Sequence, residues 1–544
     1  FFFSGEMDLT DLRNGQLDAN QITKAACGRD SGWIPANGLI YVAPKHCVCW
    51  PMLRGYAALA AARPGGSPAL KDVHEIEFPL EVGQAFDQPN QREADVADAW
   101  PCYRHDGWRS GSTLASGPSK TETLWTVDLG DNSARDSADD PNEDASTGGA
   151  KRLPTGPILE DWNDDPFVKG PITPPVIAGN MVYVARPNAH EVVALDDTTG
   201  QIRWRFSANG RVDTPPTIHR GLCLFGCKSG WVYCLRADNG QLVWRLRAAP
   251  LDERIVAYGG LESPWPVPGS VLVIDDVAYF AAGRQSLADG GILVFAVDPA
   301  TGRRYWVSRL DSIPQKGFYE SSGLEFDNFD LLFQQGDSVA MSRWVFEQKT
   351  GKMQVNRWDA FARLNTGGGS VMAPQGYWSY APRNQKRTKT LASHRPLVVF
   401  RDSVLFGCLE SQQSIYRRDF DLEGGEKFDS HWITGWANGQ GSQTEGGLAW
   451  RSQRLAEKAK WSVDVFNPKT DNQQIAAMVL AGNKLYLAGS GGELRIISTT
   501  DGQLLAKQDI PIPLWDGLAI SHGRLFVSTQ DGQLRCLGET VASR

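Results

Sequence analysis

Along most of the chain, short apolar runs alternate with polar, glycine-bearing turns, the pattern of antiparallel strands joined by hairpins. Eight units show two such runs around one polar turn: 34–43 (IPANGLIYVA), 176–184, 217–226, 271–280, 331–341, 397–406, 478–487 and 518–527. One phrase then recurs, as ALDDTTGQIRW at 194–204, CLRADNGQLVW at 234–244 and AVDPATGRRYW at 296–306, with weaker copies at 10–17, 345–353 and 496–505. An apolar strand ends there at an Asp-type residue that can bond its own backbone, and glycine takes the left-handed turn position. The next strand brings Trp204, Trp244 or Trp306 to pack flat between neighbouring units. Two hairpins per unit make a four-stranded blade. Trp204 and Trp244 lie 40 residues apart, and Thr173-Pro174-Pro175 returns 41 residues later as Thr214-Pro215-Pro216. This period suits a propeller blade.

The pattern therefore predicts an all-β fold: an eight-bladed β-propeller of four-stranded antiparallel blades with long loop insertions. Residues 1–544 form one domain, with N-terminal strands and a first hairpin unit in 1–98 and the main repeat array in 99–544. The last blade runs out of sequence after Leu537, so an N-terminal segment must supply its outer strand; 1–17 is the favoured candidate and 124–129 (LWTVDL) the other. Insertions interrupt the array at 129–170 (acidic, read as a solvated loop), at 360–395 and at 409–460. Such inserts extend the faces on which propellers bind.

Composition changes this picture little. Nineteen tryptophans and 56 glycines suit stacked sheets and turns, and a net charge of −8 offers no basic footprint for nucleic acid. No run of 18 apolar residues suggests a transmembrane segment. The chain opens at Phe1, so no signal peptide is visible and targeting is not legible from the N-terminus.

The A-x-D-x-x-T-G-x-x-x-W phrase, with WPCYRHDGWRSGS at 100–112 and LWTVDLG at 124–130, resembles the repeat of PQQ-like propellers. That family includes quinoprotein alcohol dehydrogenases and the outer-membrane assembly factor BamB. The stretches 35–60, 230–250 and 258–273 look closer still to long PQQ-like repeat proteins of planctomycete bacteria. The resemblance implies a fold and a periplasmic, cell-envelope or secreted setting, and no particular activity. A quinoprotein dehydrogenase of this fold stacks its cofactor on vicinal cysteines and holds Ca²⁺ with a Glu/Asn/Asp set. No two cysteines are adjacent in this chain, so PQQ is not expected to bind, and no cofactor is expected.

Two sets of residues carry candidate chemistry. Cys27, His46, Cys47 and Cys49 gather soft ligands that could hold Zn²⁺, with a disulfide or inert thiols as the plainer reading. Ca²⁺ at the 131–144 acidic loop is a further metal reading, though its spacing fits no EF-hand. Cys223, Cys227 and Cys234 fall in strand-like runs and read as small buried hydrophobes. Arg104 and His105, with Tyr103, Asp106 and Arg109 beside them, would join Glu262, Arg284 and Asp289 if all converge on one mouth of a central channel. Arg with Tyr or His could then neutralise a carboxylate and abstract a proton, as a polysaccharide lyase does; the plainer reading makes these residues turn formers and inter-blade hydrogen-bond partners.

The expected function is that of a binding or scaffold protein engaging a protein or glycan partner on its loop-bearing face. A carbohydrate-active lyase is the alternative and a quinoprotein oxidoreductase the third reading. A deep axial pocket with converging Arg, His and carboxylate groups would favour an enzyme, and a flat or plugged channel with an aromatic face the scaffold.

Overall fold

In a computed structural model, the structure describes residues 2–4, 8–10, 17–19, 33–42, 57–60, 71–88, 98–130, 170–257, 260–283, 290–310, 332–341, 344–356, 397–409, 413–421, 456–467 and 473–539. Strands dominate them. Seven successive units, at 176–207, 217–247, 272–310, 332–356, 398–464, 475–509 and 513–538, each build one antiparallel, blade-like sheet, the first six supplying four strands apiece and the last three, numbered one to seven in that order. The inner strand of sheet seven (Pro513–Ser521) lies against those of sheet six (Ile475–Ala481) and sheet one (Val176–Ala178). The succession continues from sheet one through sheets two and three to sheet four.

Seven such sheets, not eight, are present among the described residues. The unit expected at 34–43 instead joins a separate three-stranded sheet of Trp33–Ala36, Leu39–Val42 and Ala57–Ala60. Ring closure also differs from the favoured expectation. Glu122–Asp128 pairs antiparallel with Gln533–Gly538 and completes sheet seven, while among the described residues Phe2–Ser4, Asp8–Thr10 and Leu17–Ala19 pair with one another. The reason is local. Residues just before Glu122 are bound to sheet six, where Tyr486 donates its hydroxyl hydrogen to the Pro118 carbonyl and Lys484 reaches Ser119, so the chain is delivered directly to the open edge.

The recurring phrase is a lock between neighbouring sheets. Asp196 accepts hydrogen bonds from the Thr198 and Thr199 amides, and Asp298 does the same for Ala300 and Thr301. Each turn then reaches a glycine with φ near +70°: Gly200, Gly240, Gly302, Gly351 and Gly502. The indole of the preceding sheet lies on that glycine and donates its N–H to the carbonyl three residues earlier in the same turn. Trp125 bonds Asp197, Trp204 bonds Ala237, Trp244 bonds Pro299, Trp306 bonds Gln348 and Trp461 bonds Thr499, all at 2.8–3.2 Å. Five seams are closed this way. A β-bulge at the same place in six sheets turns the outer strand.

Glycine is required twice over at these turns, by its positive φ and by the indole above it. A Cβ on Gly240 would stand 2.7 Å from the Trp204 ring. Gly240→Ala is expected to cost about 1–3 kcal/mol in denaturant unfolding, whereas Gly269→Ala, with nothing within 4 Å of the added atom, should change stability by less than about 0.5 kcal/mol.

Sheet two carries a fifth strand. Leu80–Val82 adds to its outer strand Leu242–Arg247, and Phe78, Ala85 and Phe86 join the apolar cluster shared by sheets two and three.

Candidate functional site

In each sheet the chain enters the inner strand and leaves the outer one at the same end. Connections between sheets and the turn between the two middle strands therefore share one face, here the connection face. The described ends of the 129–170 and 360–395 insertions open onto it. The third lies differently: Ser414–Asp419 and Trp461–Asp464 are the third and fourth strands of sheet five, so the described residues between them, up to Asp421 and from Ala456, lie at the opposite face.

The centre of the array is filled by the chain itself. Residues 98–113 meet the inner side of every sheet. Trp100 pairs with Ile177 of sheet one, and the Pro101 carbonyl accepts from the Ile218 amide of sheet two. Gly107, Ser110 and Gly111 carbonyls accept from Gln334, Phe400 and Leu480 of sheets four, five and six. The Ser521 hydroxyl of sheet seven bonds the Asp98 carbonyl, and Arg109 reaches the Ser270 and Val271 carbonyls where the chain enters sheet three. The space between this segment and Asp516, Met478 and Leu518 is too narrow for a water molecule.

The two arginines of this plug are spent on the protein. Arg104 is buried; its Nη1 lies 2.9 Å from both Asp516 oxygens, Nε donates to the Arg109 carbonyl, and Nη2 donates to the Val398 carbonyl. Tyr103 donates its hydroxyl hydrogen to Asp516 at 2.6 Å. Arg109 is fully buried and donates to the Tyr103 and Leu332 carbonyls as well as to sheet three. Arg104, His105 and Arg109 hold positive φ, which folds the segment back on itself.

His105 packs edge-on against Trp100, 3.5 Å from Asp106. Burial pushes the Asp106 carboxyl up, but the His105 ring and two hydrogen bonds from Ser110 outweigh it and hold the group below its ordinary value. A lowered folded pKa contributes stability above the unfolded carboxylate range of about 3.9, lost as pH falls through the folded value. Asp106→Asn should therefore be less stable than the parent at pH 7, with the gap closing below about pH 4 in parallel urea titrations.

Glu262 does not meet Arg104. It lies on the connection face in a buried charge cluster, 3.8 Å from the Lys228 ammonium, which stands 3.1 Å from Asp213; Arg211 is 3.4 Å from the same aspartate. Asp213, Lys228 and Glu262 come from the connection between sheets one and two, the turn of sheet two, and the connection to sheet three. Burial lowers the pKa of nearby His190, Arg211 lowers it further and Asp213 opposes both.

Arg284, Asp289, Cys27, His46, Cys47, Cys49 and the 131–144 loop lie outside the described residues. Among the described residues no group of three or more His, Cys, Asp or Glu side chains could hold a metal. Cys223, Cys227 and Cys234 are free and fully buried in strands or beside them, and burial raises each thiol's pKa. Sequence reasoning missed Asp516, Asp213 and Lys228. Each is a lone charged residue beside an inner strand or turn, and only the fold supplies its partner.

With this geometry in view, comparison with known proteins is specific in one respect. Residues 111–306 match the family model described as outer membrane protein assembly factor BamB. The fold is that of the PQQ-like, BamB-type propeller superfamily. BamB of Bordetella pertussis is 26% identical over 130 residues, covering 24% of this chain and 28% of that protein; BamB of Moranella endobia is 26% identical over 98 residues, covering 18% and 24%. The matched stretches thus span about a quarter of those relatives' length. Among solved structures, the quinohemoprotein alcohol dehydrogenase from Comamonas testosteroni is 12% identical, covering 88% of this chain and 85% of that one with a TM-score of 0.46. BamB from Moraxella catarrhalis is also 12% identical, covering 69% and 84% with a TM-score of 0.34. No helix among the described residues is long and apolar enough to cross a membrane.

Proposed function

We propose that this chain is an extracytoplasmic scaffold of the cell envelope, binding a protein, or a glycan, on its connection face. The observation that carries the reading is the filled axis. A catalytic arginine must present free donors to a substrate, and those of Arg104 are engaged by Asp516, Arg109 and Val398. A quinone would need an open cleft between two flat faces; residues 98–113 occupy the axis, and they do not fit such a group. The low-identity likeness to outer membrane protein assembly factors supports an assembly role with a protein partner and an envelope location. A nearer kinship with planctomycete repeat proteins belongs to the same proposal.

Site-specific photocrosslinking in envelope fractions tests it. A crosslinker at Asn188, exposed on the connection face, should capture one discrete protein or glycan, and one at Asn180, exposed on the opposite face, should not. Cleavage of an acidic polysaccharide by the purified chain, abolished by Glu262→Gln, would replace this reading with the lyase.

A further inference from the structure

Sheet two shows what an outer edge of this array can accept. Leu80, Glu81 and Val82 lie antiparallel opposite Leu246, Arg245 and Trp244. Glu81 pairs with Arg245 at 2.5 Å, and the Gly83 and Ala85 amides continue the ladder to the Val243 and Leu242 carbonyls. Under this strand Val243 is 5% exposed.

The outer strand of sheet six, Leu504–Asp509, repeats those positions with no covering strand among the described residues. Counting from the turn glycines Gly240 and Gly502, Leu504 stands where Leu242 does, Leu505 where Val243 does and Lys507 where Arg245 does. The paired registers agree, Cys234 with Trp244 and Ile496 with Ala506. Leu504 and Leu505 are each 52% exposed, and Lys507 is exposed. Other outer strands differ at the second position. Sheet one has Arg203, paired with its own Asp196, and sheet three has Tyr305, bonded to its own Asp298. In sheet seven Leu124 packs into the core.

We propose that the outer edge of sheet six takes an extended strand from a partner protein, antiparallel, with an apolar–acidic–apolar sequence whose carboxylate faces Lys507. The proposal rests on the scaffold reading and names the partner's chemistry. Adding a strand satisfies the row of free backbone groups on an edge and lets side-chain pockets set specificity. A cation on an edge strand ordinarily discourages pairing. In sheet two the equivalent Arg245 does the reverse, because the added strand brings Glu81 to it. Lys507 thus selects for an acid at that position, and burying the two leucines supplies the apolar gain.

The test uses the full chain and a synthetic peptide with the sequence of residues 78–86, FPLEVGQAF. The peptide should slow amide exchange across 504–509, and Leu505→Asp, a change at an exposed side chain, should abolish that protection while leaving the thermal midpoint within a degree or two of the parent. Lys507→Glu should weaken binding about twofold to fivefold, the range for opposed cross-strand charges, and a peptide with lysine in place of its glutamate should recover it. Protection of 242–247 instead, meaning displacement of the native strand, would overturn the proposal. So would no protection anywhere at about 1 mM peptide. Protection of 504–509 that grows with protein concentration and needs no peptide would assign the edge to a second copy and overturn it likewise. Crosslinking from Asn188 is read separately, so the scaffold reading stands or falls on its own.

Discussion

Replacing Arg104 with alanine is expected to destabilise the protein by about 3–5 kcal/mol in urea unfolding, because it leaves the buried Asp516 carboxylate without its counter-charge. Among the described residues only the Tyr103 hydroxyl would remain on that group. The guanidinium also bridges from sheet seven to the Val398 carbonyl of sheet five, so its loss loosens the plug from two sides. Arg104→Lys keeps the charge and loses the planar fork, and should recover only part of the stability. In Arg104→Ala/Asp516→Asn the two losses should fall well short of additive, since the second change removes the charge that the first leaves exposed to a dry interior. A loss under about 1 kcal/mol for Arg104→Ala would show that the arginine is not a structural bridge and would return it to the candidates for chemistry.

Trp244→Ala should cost a similar amount, about 3–5 kcal/mol, measured the same way. Its side chain is fully buried beneath the added strand and above Gly302, and its N–H closes the seam between sheets two and three. Truncation leaves a cavity and removes a bond from a buried carbonyl. Trp204 and Trp306, each 8% exposed, should cost somewhat less. The three values must rank with burial, Trp244 first, if the indoles are equivalent locks; a neutral Trp244→Ala would refute the lock.

The recurring phrase was legible because all its information is local. Asp196 and Gly200 stand four residues apart, and the turn they make needs no distant partner. Its tryptophans were readable as packing residues for the same reason: large flat side chains at a fixed offset from a turn bury themselves wherever the next repeat falls. Cys223, Cys227 and Cys234 read correctly as buried hydrophobes from the apolar runs around them.

The loop 100–112 read differently. Its Tyr, Arg, His and Asp read either as turn formers and inter-blade hydrogen-bond partners or as a site at the mouth of a central channel, and nothing local names the residues that they bond. Arg104 finds Asp516 across 412 residues of sequence. The place of the 34–43 hairpin is a related case. The 34–43 hairpin has the pattern of a blade's inner strands, but membership in the array depends on which edge the chain can reach. Residues 98–121 run from the axis into sheet six, which commits 122–128 to sheet seven and leaves the earlier hairpins to pair among themselves.

By itself, then, the sequence determined the repeating unit: strand, Asp turn, left-handed glycine, tryptophan. Turn chemistry and strand alternation act over a few residues, and a repeat states them many times. The tertiary structure alone decided which segment completes the last sheet and that Asp516 is the partner of Arg104. Those outcomes rest on pairings between residues hundreds of positions apart, where charge and edge hydrogen bonds are satisfied only once the sheets are assembled.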